Sequence, residues 1–290
     1  KILIFIAIPF LLNACFSLDQ EPYKELSEKN SFKSIQDAQF WVNGMYATLR
    51  TNVYGRSMYA TDAQADFANL ARRSSNSDIL TEIHNWTLLT SSNGVIATIW
   101  QNYFNAIQNI NIGLEGIPTI PISAQGSATS TAQIKQNMGE LYLARAYYYT
   151  YLVTHYCPAY DESSVYGLPL LDKPTINDFP NRSTVKETYE FILNDIARAE
   201  QLLSNITGSA GKATFSKDAV AALKARVLLY KEDWAGAYQA ANGLISAGTY
   251  PLTTTSPTLQ NAWEKDGTAE TITQLYARYD KGNTAELPNG

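Results

Sequence analysis

The chain has 290 residues, 45% hydrophobic and 17% charged, with a formal net charge of −5. That length supports a sizeable core without metal or disulfide staples, and 19 Tyr, 10 Phe and 5 Trp exclude intrinsic disorder as a description of the whole. The acidic balance excludes a nucleic-acid binder, which needs a basic stripe to displace counterions from phosphates.

Lys1 precedes an apolar run from Ile2 to Leu12. Eleven helical residues reach about 16 Å, roughly half of a bilayer's hydrocarbon core, so the run is too short to span. A basic start, a short apolar stretch and then small residues is the order of a secretory signal. The first residue is Lys rather than Met, so the extreme N-terminus is expected to be missing. Leu12-Asn13-Ala14-Cys15 resembles a bacterial lipobox, in which a small residue precedes the cleavage point and the thiol carries the lipid. The alternative is an ordinary signal with a chance cysteine. The predicted division is a signal peptide over 1–14, a lipidated N-terminus at Cys15 with its tether over 15–33, and a helical domain over 34–290. A lipid anchor holds a domain at a membrane without a spanning helix. Cys157 then has no partner and reads as a small apolar residue.

Helices dominate from residue 34. Ser34 and Asp37 cap a first one, in which Trp41, Met45 and Leu49 share a face. Residues 93–115 form a second, with Ile99, Tyr103, Ile107 and Ile110 at threes and fours. Residues 132–157 form a third, which Pro158 stops. Residues 184–204 form a fourth, with Glu187 three after the Thr184 cap. The fifth starts at Ser216 and turns at Lys231-Glu232-Asp233 into a sixth, ended by Gly248. Ala219, Ala222, Ala237 and Ala241 let that pair pack closely, and the hairpin looks like one tetratricopeptide unit of about 34 residues. No clean second copy follows in register. Residues 52–92, 118–131, 158–182 and 249 onward read as long irregular segments, where a site is expected.

The sequence offers little for catalysis. His84 and His155 lack companions at metal-ligand spacing, and no Gly-x-Ser-x-Gly elbow exists. Gly208 to Lys212 has the wrong spacing for a phosphate loop. Asp62 and Asp66 could share a helix face, but a glycosidase needs carboxylates opposed across the sugar. Aromatics in polar surroundings are the stronger signal. Sugars stack their C–H faces on Trp and Tyr while Asn, Asp and Arg meet their hydroxyls. Trp86 lies among Asn85, Arg72, Arg73, Asn76 and Asn93. It either stands out as a platform or folds back over the helices. Trp41, Trp100, Tyr147, Tyr149 and Trp234 are expected in the core.

Three sets of residues resemble one family. The first is the lipobox with Leu18-Asp19-Gln20-Glu21-Pro22 and the Phe32 to Arg50 helix. The second runs from Gly139-Glu140-Leu141-Tyr142-Leu143-Ala144-Arg145-Ala146-Tyr147-Tyr148-Tyr149 through Tyr156 and Gly167-Leu168-Pro169-Leu170 to Arg182-Ser183-Thr184-Val185. The third is Gly211-Lys212-Ala213-Thr214, the Ala219 to Ala241 hairpin and Gly248-Thr249-Tyr250. In order and spacing the set is similar to the SusD/RagB family, the surface glycan-binding lipoproteins of Bacteroidetes-type nutrient uptake.

The resemblance implies an all-α fold with tetratricopeptide-like helical hairpins and long irregular loops, lipidated at Cys15 and displayed on the outer membrane. It implies oligosaccharide capture without cleavage or cofactor. It also implies a SusC-like TonB-dependent transporter as partner, with the lipoprotein as its lid. Family members continue into a second, loop-rich half, so residues 249–290 are expected to be the start of a truncated C-terminal part. Trp86 is carried over as a stacking platform, with Arg72 and Asn93 added for their proximity in sequence. Two other readings stay open: a binder of peptides or other nutrients in the same kind of complex, and a helical-repeat protein–protein scaffold.

Overall fold

The first helix starts at its cap. In a computed structural model, which describes residues 31–68, 77–87, 89–121, 128–175, 180–256, 259–260 and 268–275, Ser34 and Asp37 close a capping box at the head of α1 (Ile35–Val53). Two short helices follow, α2 (Arg56–Gln64) and α3 (Ser77–His84). They correct the reading of 52–92 as an irregular segment. α2 escapes a periodicity search because it has only nine residues and its buried positions include the small Ala60 and Ala63.

α4 (Gly94–Gly116) leads into a 3-10 turn at Ile117–Thr119. α5 (Ala128–Tyr156) starts four residues ahead of the expected 132 and stops before Pro158. α6 (Val185–Leu202) opens on the Thr184–Glu187 capping box. α7 (Lys217–Tyr230) and α8 (Trp234–Ala247) form the expected hairpin, capped by Ser216 and closed by Gly248 at φ 65°, where glycine carries no side-chain penalty. Among the described residues no strand forms, and one isolated bridge ties Lys212 to Thr273. Nor is any described helix long and apolar enough to cross a membrane.

α5 is the centre of the fold. It packs most extensively on α6 and also meets α1, α4 and α7. A helix enclosed in this way buries residues around its whole circumference, and Leu141, Leu143, Tyr148, Tyr149 and Leu152 are fully buried. Much of the tyrosine content is used here: the Tyr103 ring of α4 lies 4.9 Å from that of Tyr148 and 4.8 Å from that of Tyr151. α1 approaches α4 closely where Gly113 lets the Trp41 ring in, since a Cβ there would come within 2.5 Å of it. Trp41, Trp100 and Tyr147 are half-buried against the core and Tyr149 is buried. Trp234 departs from expectation: it is 62% exposed, because among the described helices α8 packs extensively only on α7.

Two charged side chains sit inside. Arg145 of α5 meets Asp195 of α6 through two contacts of 2.7 Å, with Nε and one terminal nitrogen donating to the two carboxylate oxygens. Its other nitrogen donates to Asn111 Oδ1 of α4 at 2.7 Å. Asn111 in turn donates to the carbonyls of Leu171 and Lys173, pinning residues 171–173 down. Burial lifts the Asp195 carboxyl while Arg145 pulls it back, and the bidentate geometry is that of an ionised pair. Arg145→Met, which strands the Asp195 charge, should cost about 3–5 kcal/mol in urea unfolding, and adding Asp195→Leu should recover much of it.

Glu140, one turn earlier on α5, is pushed up to about 7 by burial, against hydrogen bonds from Gln136 and Tyr46. Folding therefore favours its protonated form. Its contribution to stability should be full below the ordinary value of 4.5, fall between pH 4.5 and about 7, and be lost above. Glu140→Gln should remove that slope in denaturation curves recorded from pH 4 to 8.5.

Candidate functional site

The turn after α3 presents an aromatic ring at an unusual backbone position. The N–H of Trp86 donates to the Ile83 carbonyl at 3.2 Å, and that of Thr87 donates to the Glu82 carbonyl at 2.9 Å. These two bonds form a Schellman closure, which requires the residue between cap and exit to be left-handed. Trp86 fills that position at φ 54°. Glycine is the usual occupant, and an L-residue pays roughly 1–2 kcal/mol there. The indole is 64% exposed, so it does not recover that cost by joining the core.

α2 ends in the same way. Asp66 is left-handed at φ 61°, and Phe67 donates to the Asp62 carbonyl at 2.9 Å and is 86% exposed. His84 joins the two helix ends, with Nδ1 at 3.1 Å from the Ala63 carbonyl and 3.4 Å from the Asp66 carboxylate. Two exposed aromatic side chains, Phe67 and Trp86, thus belong to adjoining helix ends. Sequence reasoning did not single out Phe67; a lone aromatic in a polar stretch was the available signal. Because Asp66 lies past the end of α2, it shares no helix face with Asp62.

Asn93 sits elsewhere in this arrangement than a ligand contact would. It is 5% exposed and caps α4, its Oδ1 accepting from the N–H groups of Val95 and Ile96. Its Nδ2 donates to Glu82 Oε2 at 2.9 Å, which ties the end of α3 to the start of α4. Its polar atoms hold the Trp86 turn in place. Arg72 and Cys15 lie outside the described residues.

Residues 158–175 and 180–184 form a strap held on the helices. The Tyr149 hydroxyl donates to the Pro169 carbonyl and accepts from the Leu171 N–H. Arg182 donates to the Gly167 carbonyl at 2.9 Å. Cys157 is half-buried at its start, and burial pushes its thiol up although Arg182 lies nearby. Among the described residues no cluster of three metal-ligating side chains forms.

The family model described as SusD-like, "Starch-binding associating with outer membrane", matches residues 17–229. The chain belongs to the SusD-like family. It is 28% identical over 251 residues to SusD-like protein P38 of Formosa agariphila, a match covering 84% of this chain and 44% of that protein. It is 25% identical to SusD-like protein P2 of the same organism, over 91% of this chain and 50% of that protein. A crystal structure of a SusD superfamily protein from Bacteroides thetaiotaomicron superposes with a TM-score of 0.69 at 22% identity, over 89% of this chain and 55% of the other. A laminarin-binding SusD-like protein superposes with a TM-score of 0.57 at 18% identity, over 78% and 46%. The fold is therefore that of the SusD superfamily: all-α, with tetratricopeptide-like hairpins. This SusD-like chain spans about half the length of the relatives it matches.

Asn93→Ala removes both the α4 cap and the bond to Glu82. It should lower stability by about 1–2 kcal/mol in chemical denaturation.

Proposed function

We propose that this SusD-like chain is a non-enzymatic, surface-displayed glycan-binding lipoprotein that captures oligosaccharides and delivers them to a SusC-like TonB-dependent transporter. The observation that carries the capture step is Trp86, an exposed indole held at a strained backbone position that glycine would fill at lower cost. An aromatic face fixed in this way suits stacking on the C–H face of a sugar ring, with Phe67 on the adjoining helix end. Asn93 holds the turn, and Arg72 is proposed to supply a polar contact. Anchoring at Cys15 rests on the Leu12-Asn13-Ala14-Cys15 lipobox, and the transporter partnership rests on family membership. The three divisions of the chain, with a signal peptide over 1–14, a tether over 15–33 and the helical domain from 34, belong to the same proposal.

A scaffold reading draws on a different surface. Trp234, Tyr238 and Ile245 line one exposed face of α8, an apolar stripe more suited to protein than to sugar.

The test is affinity electrophoresis of the chain from Phe16 to Gly290 through gels carrying starch, laminarin and a panel of plant, host and microbial polysaccharides. At least one polysaccharide should retard the wild type. Trp86→Gly should sharply weaken the retardation without lowering the melting temperature, since glycine relieves the left-handed strain. Unchanged migration in every gel overturns glycan capture by this chain. Retardation unchanged by Trp86→Gly moves the site elsewhere.

A further inference from the structure

A groove runs between α1 and α4 on the surface away from α6. Two cavities of about 410 and 400 Å³ meet there and share Thr48, Ala106 and Asn109. Phe40, Trp41 and Met45 line one end, and the Phe40 ring is exposed. Thr48 and Thr51 of α1 face Asn102, Asn105 and Asn109 of α4 along the remainder. The spacing of those asparagines, three and then four residues, places all three on one helix face. None of their carboxamides bonds to another described residue, and all three are exposed, so each offers a free donor pair and a free acceptor. Among the residues that line the groove Asp37 alone is charged. Its carboxylate is already committed to the Ser34 hydroxyl and to the N–H groups of Lys33 and Ser34.

That lining selects its ligand. An anion finds no cation, and a cation finds only a carboxylate already satisfied by the cap. A purely apolar ligand would leave the carboxamide ladder desolvated and unpaired. A neutral polyhydroxylated chain fits both parts: its hydroxyls pair with carboxamides and threonines, and its C–H faces lie on Phe40 and Met45. From Phe40 to Thr51 the groove follows α1 for about 16 Å, long enough for a short oligosaccharide. Its Asn102 end lies about 14 Å along the α4 axis from the Asn93 cap that holds the Trp86 turn.

We propose that the α1–α4 groove is a second binding subsite for a neutral oligosaccharide, separate from Trp86. The ligand class rests on the glycan reading above, but the residues do not, so the two fail separately.

Gly44 supplies the test. It lines the groove, and a Cβ there meets nothing within 4 Å. Gly44→Leu therefore fills the groove without a clash and improves the propensity of the helix, so it should melt no lower than wild type. The probes are laminarin and soluble starch in affinity gels, with Gly44→Leu, Asn105→Ala, Trp86→Gly and the Gly44→Leu/Trp86→Gly pair run beside wild type. Gly44→Leu and Asn105→Ala should each weaken retardation about fivefold in at least one gel, the loss of one or two hydrogen bonds. The double variant should lose more than either single variant. Retardation that falls with Trp86→Gly but is unchanged by Gly44→Leu and Asn105→Ala overturns the groove and leaves the glycan reading standing. No retardation of the wild type in either gel overturns the groove, and none across the whole panel overturns the glycan reading as well. A dimer of the ligand-free protein that Gly44→Leu dissolves shows that a second copy covers the groove, and also overturns it.

Discussion

The Arg145 guanidinium decides where α4 lies, and both candidate binding features are attached to α4. A charge in the middle of an enclosed helix is tolerable only when every donor is matched, because taking an unpaired ion out of water costs several kcal/mol. Here three of its nitrogens find oxygens: two on Asp195 of α6 and one on Asn111 of α4. Asn111 passes the constraint on to the strap at Leu171 and Lys173. The pair fixes α4, α5, α6 and the strap in one mutual arrangement, since a shift of any one leaves a buried polar group unpaired. The rings around it add to this, with Phe191 5.0 Å from the guanidinium carbon.

Among the described residues three that are not glycine lie in the left-handed region: Asp66, Trp86 and Glu232. All three end helices with the same closure, in which the following N–H returns to the third residue from the helix end. Asp66 is the least surprising, since a short polar side chain visits that region readily. Glu232 belongs to the tight turn of the α7–α8 hairpin, where the demand for a three-residue link dominates. Trp86 has neither excuse. Its side chain is large, its turn is not unusually tight, and its exposure yields little packing. An outlier of this kind points to a role outside the fold, and the geometry points the indole at solvent.

Legibility in the sequence followed the strength of the local signal. Capping pairs such as Ser34–Asp37 and Thr184–Glu187, and stops such as Pro158 and Gly248, give most helix boundaries because one residue suffices to set each. α2 and α3 were not legible, since nine and eight residues are short for a period and α2 places small alanines at buried positions. The buried pair was half visible: Arg145 stands inside an apolar run, and Asp195 interrupts the Ile192, Ile196 and Ala199 stripe of α6. Neither alone names its partner, because they are fifty residues apart. At the candidate site, the signal for Trp86 was its polar company in sequence, of which Arg72, Arg73 and Asn76 lie outside the described residues. Asn93 turned inward to cap α4. The α1–α4 groove was invisible, because Phe40 and Asn105 are neighbours only through the packing of two helices.

α4 links these observations. Its N-terminus is fixed by Asn93, which is bonded to α3 and so sets the Trp86 turn. Its outer face carries the carboxamides that meet α1, and its inner face carries Asn111, which answers Arg145. Polar residues therefore do different work on one helix according to burial. Inside, a carboxamide must be saturated by partners or it destabilises the core; outside, it can remain open, since water satisfies it at little cost. Unbonded asparagines in threes and fours beside an aromatic-lined cleft are what the outer face would need to exchange water for hydroxyl groups. Rigidity behind that face reduces the ordering cost on binding, because a ligand meets a helix already held in place by the buried ion pair. The charge inside the fold and the lack of free charge in the groove are thus complementary: the first immobilises α4, and the second leaves its exposed surface suited to a neutral ligand.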